Sequence, residues 1–137
     1  MLAVLLRDPA RLDEVVAAAS AEYAHRARVL GEALRAEAPG RFVFDEPRGG
    51  LFSWLRFDHP AASTGDLLEH ARRRGVTFSA GSHYAVPGGE SQDAFLRLCF
   101  GAADGVRLRE GARRLALAVG DLDAAAPARG TLASAAR

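Results

Sequence analysis

The chain of 137 residues is long enough for one globular domain, and its 49% hydrophobic and 26% charged residues are ordinary for that class. A formal net charge of +1, with arginine mixed among aspartate and glutamate, gives no reason to expect nucleic acid or an anionic membrane as a partner. A single cysteine, Cys99, excludes an internal disulfide and favours a reducing compartment, so we expect a cytoplasmic protein. The short apolar start has neither the flanks of a signal peptide nor the length of a membrane span.

A long amphipathic helix is predicted over residues 9–38. Pro39 and Gly40 end it, because neither residue supports a continuing helix. A helix of about thirty residues spans about 45 Å, which exceeds the width of a domain of this size, so part of it is expected to pack outside this chain. Its apolar stripe repeats at three- and four-residue steps and consists of Leu12, Val15, Val16, Ala19, Tyr23, Leu30 and Leu34.

Two short strands are predicted next, at residues 41–44 and 51–57, with a turn of proline and glycine between them. The second strand alternates, so its side chains divide between two faces: Leu51, Ser53, Leu55 and Phe57 on one, and Phe52, Trp54 and Arg56 on the other.

The rest of the chain continues as short helices and strands. Ser63 and Asp66 form a capping box before a helix over residues 65–74, and Gly75 is expected to end that helix in the left-handed conformation. The remaining predicted segments are strands at 76–79 and 95–100, a helix over 104–119 and a frayed tail from Gly120.

This order of elements predicts the fold class α+β, with a long N-terminal helix and a small, mainly antiparallel sheet that carries helices packed on one face. We expect the chain to divide into the long helix at 1–40, a small domain at 41–120 and a disordered tail at 121–137.

Arg97 is the candidate functional residue. It stands in the middle of the segment FLRLCF, on a strand face that it shares with Phe95 and Cys99. A guanidinium on an apolar face is costly to bury unless an anion meets it, and its planar fork suits a carboxylate. The alternatives are an edge-strand arginine that reaches solvent and an ion pair with an internal acid such as Asp45 or Glu46.

Four segments carry a family resemblance: RLDEVVAAASAEYAHRARVLGEALRAE, PRGGLFSWLRF, LLEHARRRGVTFSAGSHY and FLRLCFGAADGVRLREGARRLALAV. In this order they resemble the C-terminal (small) domain of class I/II, fold type I pyridoxal-phosphate-dependent aminotransferases, especially the aromatic and 2-aminoadipate branch. The first segment is similar to the long helix that joins the large and small domains of that family. The resemblance covers residues 1 to about 120.

The resemblance implies roles for individual positions. Arg97 matches the strand arginine with which the family binds the substrate α-carboxylate. Phe52 follows the glycine pair on the substrate side, and the alternative interpretation is that it belongs to the core. The glycines at 49–50 match a pair that precedes the aromatic strand, and residues 81–82 match a turn in which backbone shape is the expected role.

The resemblance also implies that the cofactor lysine, the phosphate-binding loop and the aspartate on the pyridine nitrogen belong to a large domain. All eighteen basic residues of this chain are arginine, so it has no lysine to hold pyridoxal phosphate as a Schiff base. We therefore expect part of an aminotransferase, inactive alone, that contributes no catalytic, cofactor-binding or metal-binding residue. The complete enzyme would be a homodimer that acts on an amino acid and a 2-oxo acid.

Two other functions remain open. The aminotransferase-like domain also occurs as the effector domain of winged-helix transcription regulators, and an upstream basic helix-turn-helix segment would indicate that class. A stand-alone remnant acting as a binding or dimerisation module would expose the apolar stripe of the long helix.

The remaining reactive side chains are interpreted as structural. The four histidines lack the close spacing of a metal site and are predicted to lie on the surface: His25, His59, His70 and His83. Cys99 is predicted to be a small buried hydrophobe in its strand.

Overall fold

The computed structural model describes residues 8–125, and its elements confirm the α+β class. No helix within this range combines the length and the hydropathy needed to cross a bilayer. The elements follow the chain as helix α1 (Pro9–Glu37), strand β1 (Phe42–Val43), strand β2 (Phe52–Phe57), helix α2 (Thr64–Arg73), strand β3 (Ser79–Ala80), a 3₁₀ turn (Gly81–Tyr84), strand β4 (Phe95–Cys99) and helix α3 (Gly105–Ala125).

The four strands form one antiparallel sheet in the order β1–β2–β4–β3, so β2 and β4 are the inner strands. Successive side chains of a strand point to opposite faces. Leu55 of β2 and Leu96 of β4 are fully buried in the core that the helices cover, whereas Phe52 and Trp54 lie on the other face and are exposed. The predicted sheet with helices on one face is therefore confirmed, and its second face is open within residues 8–125.

Helix α1 contributes to the core only through its C-terminal half. Leu30 and Leu34 are buried, and the helix packs there against α3. In contrast, Val15 and Val16 are 48% and 55% exposed. The apolar stripe predicted along the whole helix is therefore covered at one end and exposed at the other.

The start of α2 is fixed by the predicted capping box. The Ser63 hydroxyl accepts a hydrogen bond from the Asp66 backbone N–H at 3.2 Å, and the Asp66 carboxylate accepts one from the Ser63 backbone N–H at 2.8 Å. The Ser63 hydroxyl also donates to the Asp66 carboxylate, at 2.7 Å. The hydrogen bonds from the Ser63 backbone N–H and from its hydroxyl favour the ionised carboxylate, so they hold the pKa of Asp66 below its ordinary value.

The end of α2 explains why β3 is shorter than predicted. Gly75 adopts the expected left-handed conformation, with φ of 74°. The backbone N–H of Val76 then donates to the Ala71 carbonyl at 2.9 Å, so Val76 is still tied to the helix. The chain joins the sheet only at Ser79, and the prediction of a strand from residue 76 was wrong for this reason.

Helix α3 is longer than predicted. It continues to Ala125, and Leu122 is buried in the core, so the prediction of a frayed tail from Gly120 was wrong as far as Ala125. This extension is held by partners far away in the sequence, because Arg74 donates two hydrogen bonds to Asp121, at 2.7 and 2.6 Å. The rest of the predicted tail, 126–137, lies outside the described residues.

Candidate functional site

Arg97 lies on the open face of the sheet, in an inner strand. It stands opposite Trp54 of β2 on one side and opposite Ser79 of β3 on the other. The interpretation of Arg97 as an edge-strand residue is therefore wrong. Pairing with both neighbouring strands fixes the backbone of Arg97. The Arg97 side chain is half-buried.

Four aromatic side chains surround the Arg97 side chain on this face: Phe52, Trp54, Tyr84 and Phe95, which we call the aromatic group. The Cζ atom of Arg97 lies 4.1 Å from the ring centroid of Phe52 and 5.0 Å from that of Tyr84. Trp54 meets Tyr84 edge-on with centroids 5.5 Å apart, and stacks on Phe95 at 5.8 Å. These distances are those of favourable cation–π and aromatic contacts.

No carboxylate within residues 8–125 forms an ion pair with Arg97. Glu46, one of the acids considered as a partner, instead pairs with Arg35 at 3.0 Å. A guanidinium has five N–H donors in a planar fork and can present two of them side by side to one carboxylate. The arrangement therefore suits an incoming carboxylate in a bidentate geometry.

A cavity of about 500 Å³ adjoins this arginine. It lies where residues 75–79 diverge from the end of β4, and its lining includes Arg97 and Phe52 together with the apolar side chains of Leu34, Leu98 and Leu115. Its size falls in the range of small-molecule sites, which combine an apolar lining with a few placed polar groups. A ligand that bears one carboxylate and an apolar body matches this combination.

The structure brings together the two residues predicted for the site, Arg97 and Phe52, and adds Tyr84, which sequence reasoning missed. Tyr84 reaches Arg97 only because the 3₁₀ turn follows β3 directly and brings it to the open face. No local pattern in the segment GSHY marks this role, since it depends on the pairing of β3 with β4.

Two glycines shape the backbone beside the site. Gly50 has a φ of 78° in the turn that leads into β2, a conformation that favours glycine. Gly81 has no room for a side chain, because a Cβ atom there would collide with the carbonyl oxygen of Gln92 and lie 2.7 Å from that of Phe95. The expected role of residues 81–82 in backbone shape therefore holds for Gly81.

Two predictions about reactive side chains were wrong. Cys99 is exposed rather than buried, because it belongs to the same alternating set as Arg97 on the open face. The His59 side chain is only 5% exposed, because its Nδ1 atom accepts hydrogen bonds from the N–H groups of Ala61 and Ala62 while Nε2 contacts Asp123 at 3.0 Å.

Among residues 8–125, no group of three or more side chains is arranged to hold a metal ion.

No protein-family model matches the sequence. Over 97 residues the chain is 30% identical to the 2-aminoadipate transaminase of Thermus thermophilus, and the match covers 71% of this chain and 24% of that protein. The chain thus spans about a quarter of the length of this curated relative.

Solved structures give the same result. The alpha-aminoadipate aminotransferase LysN of Thermus thermophilus, complexed with N-(5'-phosphopyridoxyl)-L-leucine, matches with a TM-score of 0.73 and 30% identity over 88% of this chain and 30% of that chain. The multiple substrate aminotransferase of Thermococcus profundus matches with a TM-score of 0.66 and 26% identity, over 74% of this chain and 25% of that one. For the kynurenine aminotransferase of Pyrococcus horikoshii the TM-score is 0.61 and the identity 27%, over 73% and 24% of the two chains.

The sheet, the helices on its covered face and the long α1 are thus those of a known class of enzymes. Over most of its length, the chain belongs to the fold type I pyridoxal-phosphate-dependent aminotransferases, the family that includes the 2-aminoadipate aminotransferase LysN.

Proposed function

We propose that this chain is the C-terminal, substrate-binding part of a pyridoxal-phosphate-dependent aminotransferase, and that Arg97 binds the α-carboxylate of the amino acid or 2-oxo acid. The observation that carries the proposal is the setting of Arg97, on an inner strand and among aromatic rings, with no carboxylate partner within residues 8–125. The relatives named above support the reaction class, the transfer of an amino group.

The setting strengthens carboxylate binding in two ways. The rings of Phe52 and Tyr84 displace water from the guanidinium, and the attraction between opposite charges rises as the local dielectric constant falls. The planar fork also fixes the orientation of a carboxylate that it binds through two hydrogen bonds. Arg97 would therefore both bind the substrate and orient its reacting carbon, and orientation contributes directly to the rate.

Pyridoxal phosphate, when bound, supplies an electron sink for the reacting carbon of the substrate. The residues of this chain do not fit its attachment, because none of the 137 is a lysine that could form the Schiff base. We propose that the cofactor is held by the remainder of a longer enzyme, a cytoplasmic homodimer, to which this chain contributes substrate binding and no proton transfer.

Carboxylate binding by the chain itself tests the role of Arg97. Trp54, the only tryptophan, lies opposite Arg97 on the neighbouring strand, so its fluorescence reports directly on this face. The probe is 4-methylpentanoate, which has one carboxylate and an apolar body, and we expect roughly millimolar affinity, about 4 kcal/mol, for such a small ligand. Arg97→Ala should weaken binding at least about tenfold, and Arg97→Lys should not restore it, because an ammonium lacks the bidentate fork.

Two controls separate the loss of this specific contact from a general change in the charge of the protein. Arg56→Ala removes an arginine from the same open face, but one that already pairs with Asp58 at 3.0 Å, and it should leave the affinity unchanged. The second control is the uncharged analogue 4-methylpentanamide, whose affinity should be the same for the wild type and for all the arginine variants. Equal affinity of the wild-type and Arg97→Ala chains for the carboxylate would contradict the proposal.

A further inference from the structure

The Tyr84 side chain lies outside the hydrophobic core of the fold. It ends the 3₁₀ turn, is 41% exposed, and places its ring 5.0 Å from the Cζ atom of Arg97. The same ring meets Trp54 edge-on, and Trp54 stacks on Phe95. Tyr84 therefore belongs to one connected set of rings that contacts the guanidinium.

The backbone leaves the turn little freedom in how it presents Tyr84. Immediately before the turn, Ser79 and Ala80 pair with Arg97 and Leu96 of β4. At the start of the turn, Gly81 is buried so closely against the backbone of the segment before β4 that no Cβ would fit. The strand that carries Arg97 and the turn that carries Tyr84 are thus locked to each other.

We propose that Tyr84 is a positioning residue for Arg97: with Phe52, it holds the guanidinium in one orientation before the substrate carboxylate arrives. The inference rests on the proposed role of Arg97 in substrate binding. An arginine side chain has many rotamers, and a side chain that is already ordered loses less freedom when the ligand binds. The contribution of Tyr84 comes from the face of its ring, so its hydroxyl group is not needed.

Two substitutions distinguish the contribution of the aromatic ring from that of an apolar side chain as such. Tyr84→Phe keeps the aromatic face, whereas Tyr84→Leu keeps an apolar group but removes the cation–π contact. His83→Leu, in the same turn and also exposed, serves as the control for a general disturbance of the turn. Nitrogen-15 relaxation of the Arg97 Nε–H group in the 137-residue chain measures the order of the guanidinium without any ligand.

We expect the Nε–H group of Arg97 to be as ordered in Tyr84→Phe and His83→Leu as in the wild type, and more mobile in Tyr84→Leu. The dissociation constant for 4-methylpentanoate should rise about two- to fivefold in Tyr84→Leu alone, the range expected for an exposed cation–π contact. Because Tyr84 is largely exposed and outside the core, all three variants should keep the thermal midpoint of the wild type.

The outcomes distinguish this inference from the function on which it rests. If Arg97→Ala binds the carboxylate as well as the wild type does, the proposed function fails. If Arg97→Ala loses binding while Tyr84→Leu keeps both the wild-type affinity and an ordered Nε–H group, the positioning role of Tyr84 is overturned and the proposed function stands. An equal loss in His83→Leu would also overturn it, because the effect would then belong to the turn rather than to the ring.

Discussion

Two arginine side chains converge on the carboxylate of Glu110, on the exposed side of α3. Arg113 donates hydrogen bonds at 2.8 and 2.9 Å, and Arg114 donates one at 2.7 Å. These hydrogen bonds stabilise the ionised form and lower the pKa of Glu110 from 4.5 to about 2. The folded state therefore releases this proton more readily than the unfolded chain does.

The lowered pKa predicts how stability depends on pH. The stabilisation from Glu110 is complete above the unfolded-state pKa of 4.5 and is lost as the pH falls through that value towards about 2. We expect Glu110→Gln to be less stable than the wild type at neutral pH and to approach it in this acidic window. Urea unfolding of both proteins at several pH values measures the difference.

A matched substitution and a change of salt test the cause. Glu32→Gln removes an exposed glutamate that makes no ion pair within residues 8–125, so at neutral pH it should be as stable as the wild type. Because the Glu110 cluster is exposed, high salt should reduce its effect. A pH-independent difference between Glu110→Gln and the wild type would contradict the prediction.

At the scale of elements, the last turns of α3 are the clearest departure from the sequence-based expectation. Gly120 lies inside the helix rather than in a tail, and no atom would obstruct a Cβ placed on it. Alanine loses less backbone freedom than glycine in a helix, so Gly120→Ala should stabilise the protein by about 0.5–1 kcal/mol. Thermal or urea unfolding measures this gain.

Gly40→Ala provides the comparison of opposite sign. Gly40 is equally unobstructed, but it has a φ of 75°, where an L-residue costs about 1 kcal/mol or more. We therefore expect the two glycine substitutions to shift stability in opposite directions. No effect of Gly120→Ala would mean that residues 120–125 do not belong to the cooperative fold in solution.

Local patterns predicted the elements whose neighbours are close in sequence. The alternation of β2 follows from its own residues, and the capping box of α2 joins Ser63 to Asp66 three positions later. The errors arise where the deciding partner is distant. The His59 side chain is almost fully enclosed, and one of its partners is Asp123, 64 positions further along the chain in a segment whose composition resembles a tail. The same applies to the candidate site, where Arg97 could be recognised in its strand but Tyr84 could not.

At the scale of the whole molecule, the chain spans about a quarter of the length of its curated relative. The proposed function therefore predicts that the native gene product is much heavier than 137 residues and carries a lysine-bound cofactor in its additional part. Intact-mass measurement of the product from its own cells, followed by its visible absorbance, checks both points.

The two alternative functions, a transcription regulator and a stand-alone module, predict different native gene products. A heavier product with a basic winged-helix segment and no transaminase activity would favour the regulator. A native product of 137 residues would contradict the enzyme proposal for this chain and would favour a binding or dimerisation module, for which the exposed part of α1 would be the first surface to study.

Helix α1 also has a mechanical consequence. Its C-terminal half is embedded in the same core that supports β4, while its first fourteen or so residues, about 20 Å of helix, stand clear of that core. A helix of this kind acts as a lever arm, because its C-terminal half is fixed in the core beneath the sheet whose open face carries Arg97. A rotation of the small domain by about ten degrees would move the far end by about 3–4 Å, simply from the length of the arm. A domain joined to the start of α1 would therefore shift whenever the sheet face that bears Arg97 changes its orientation.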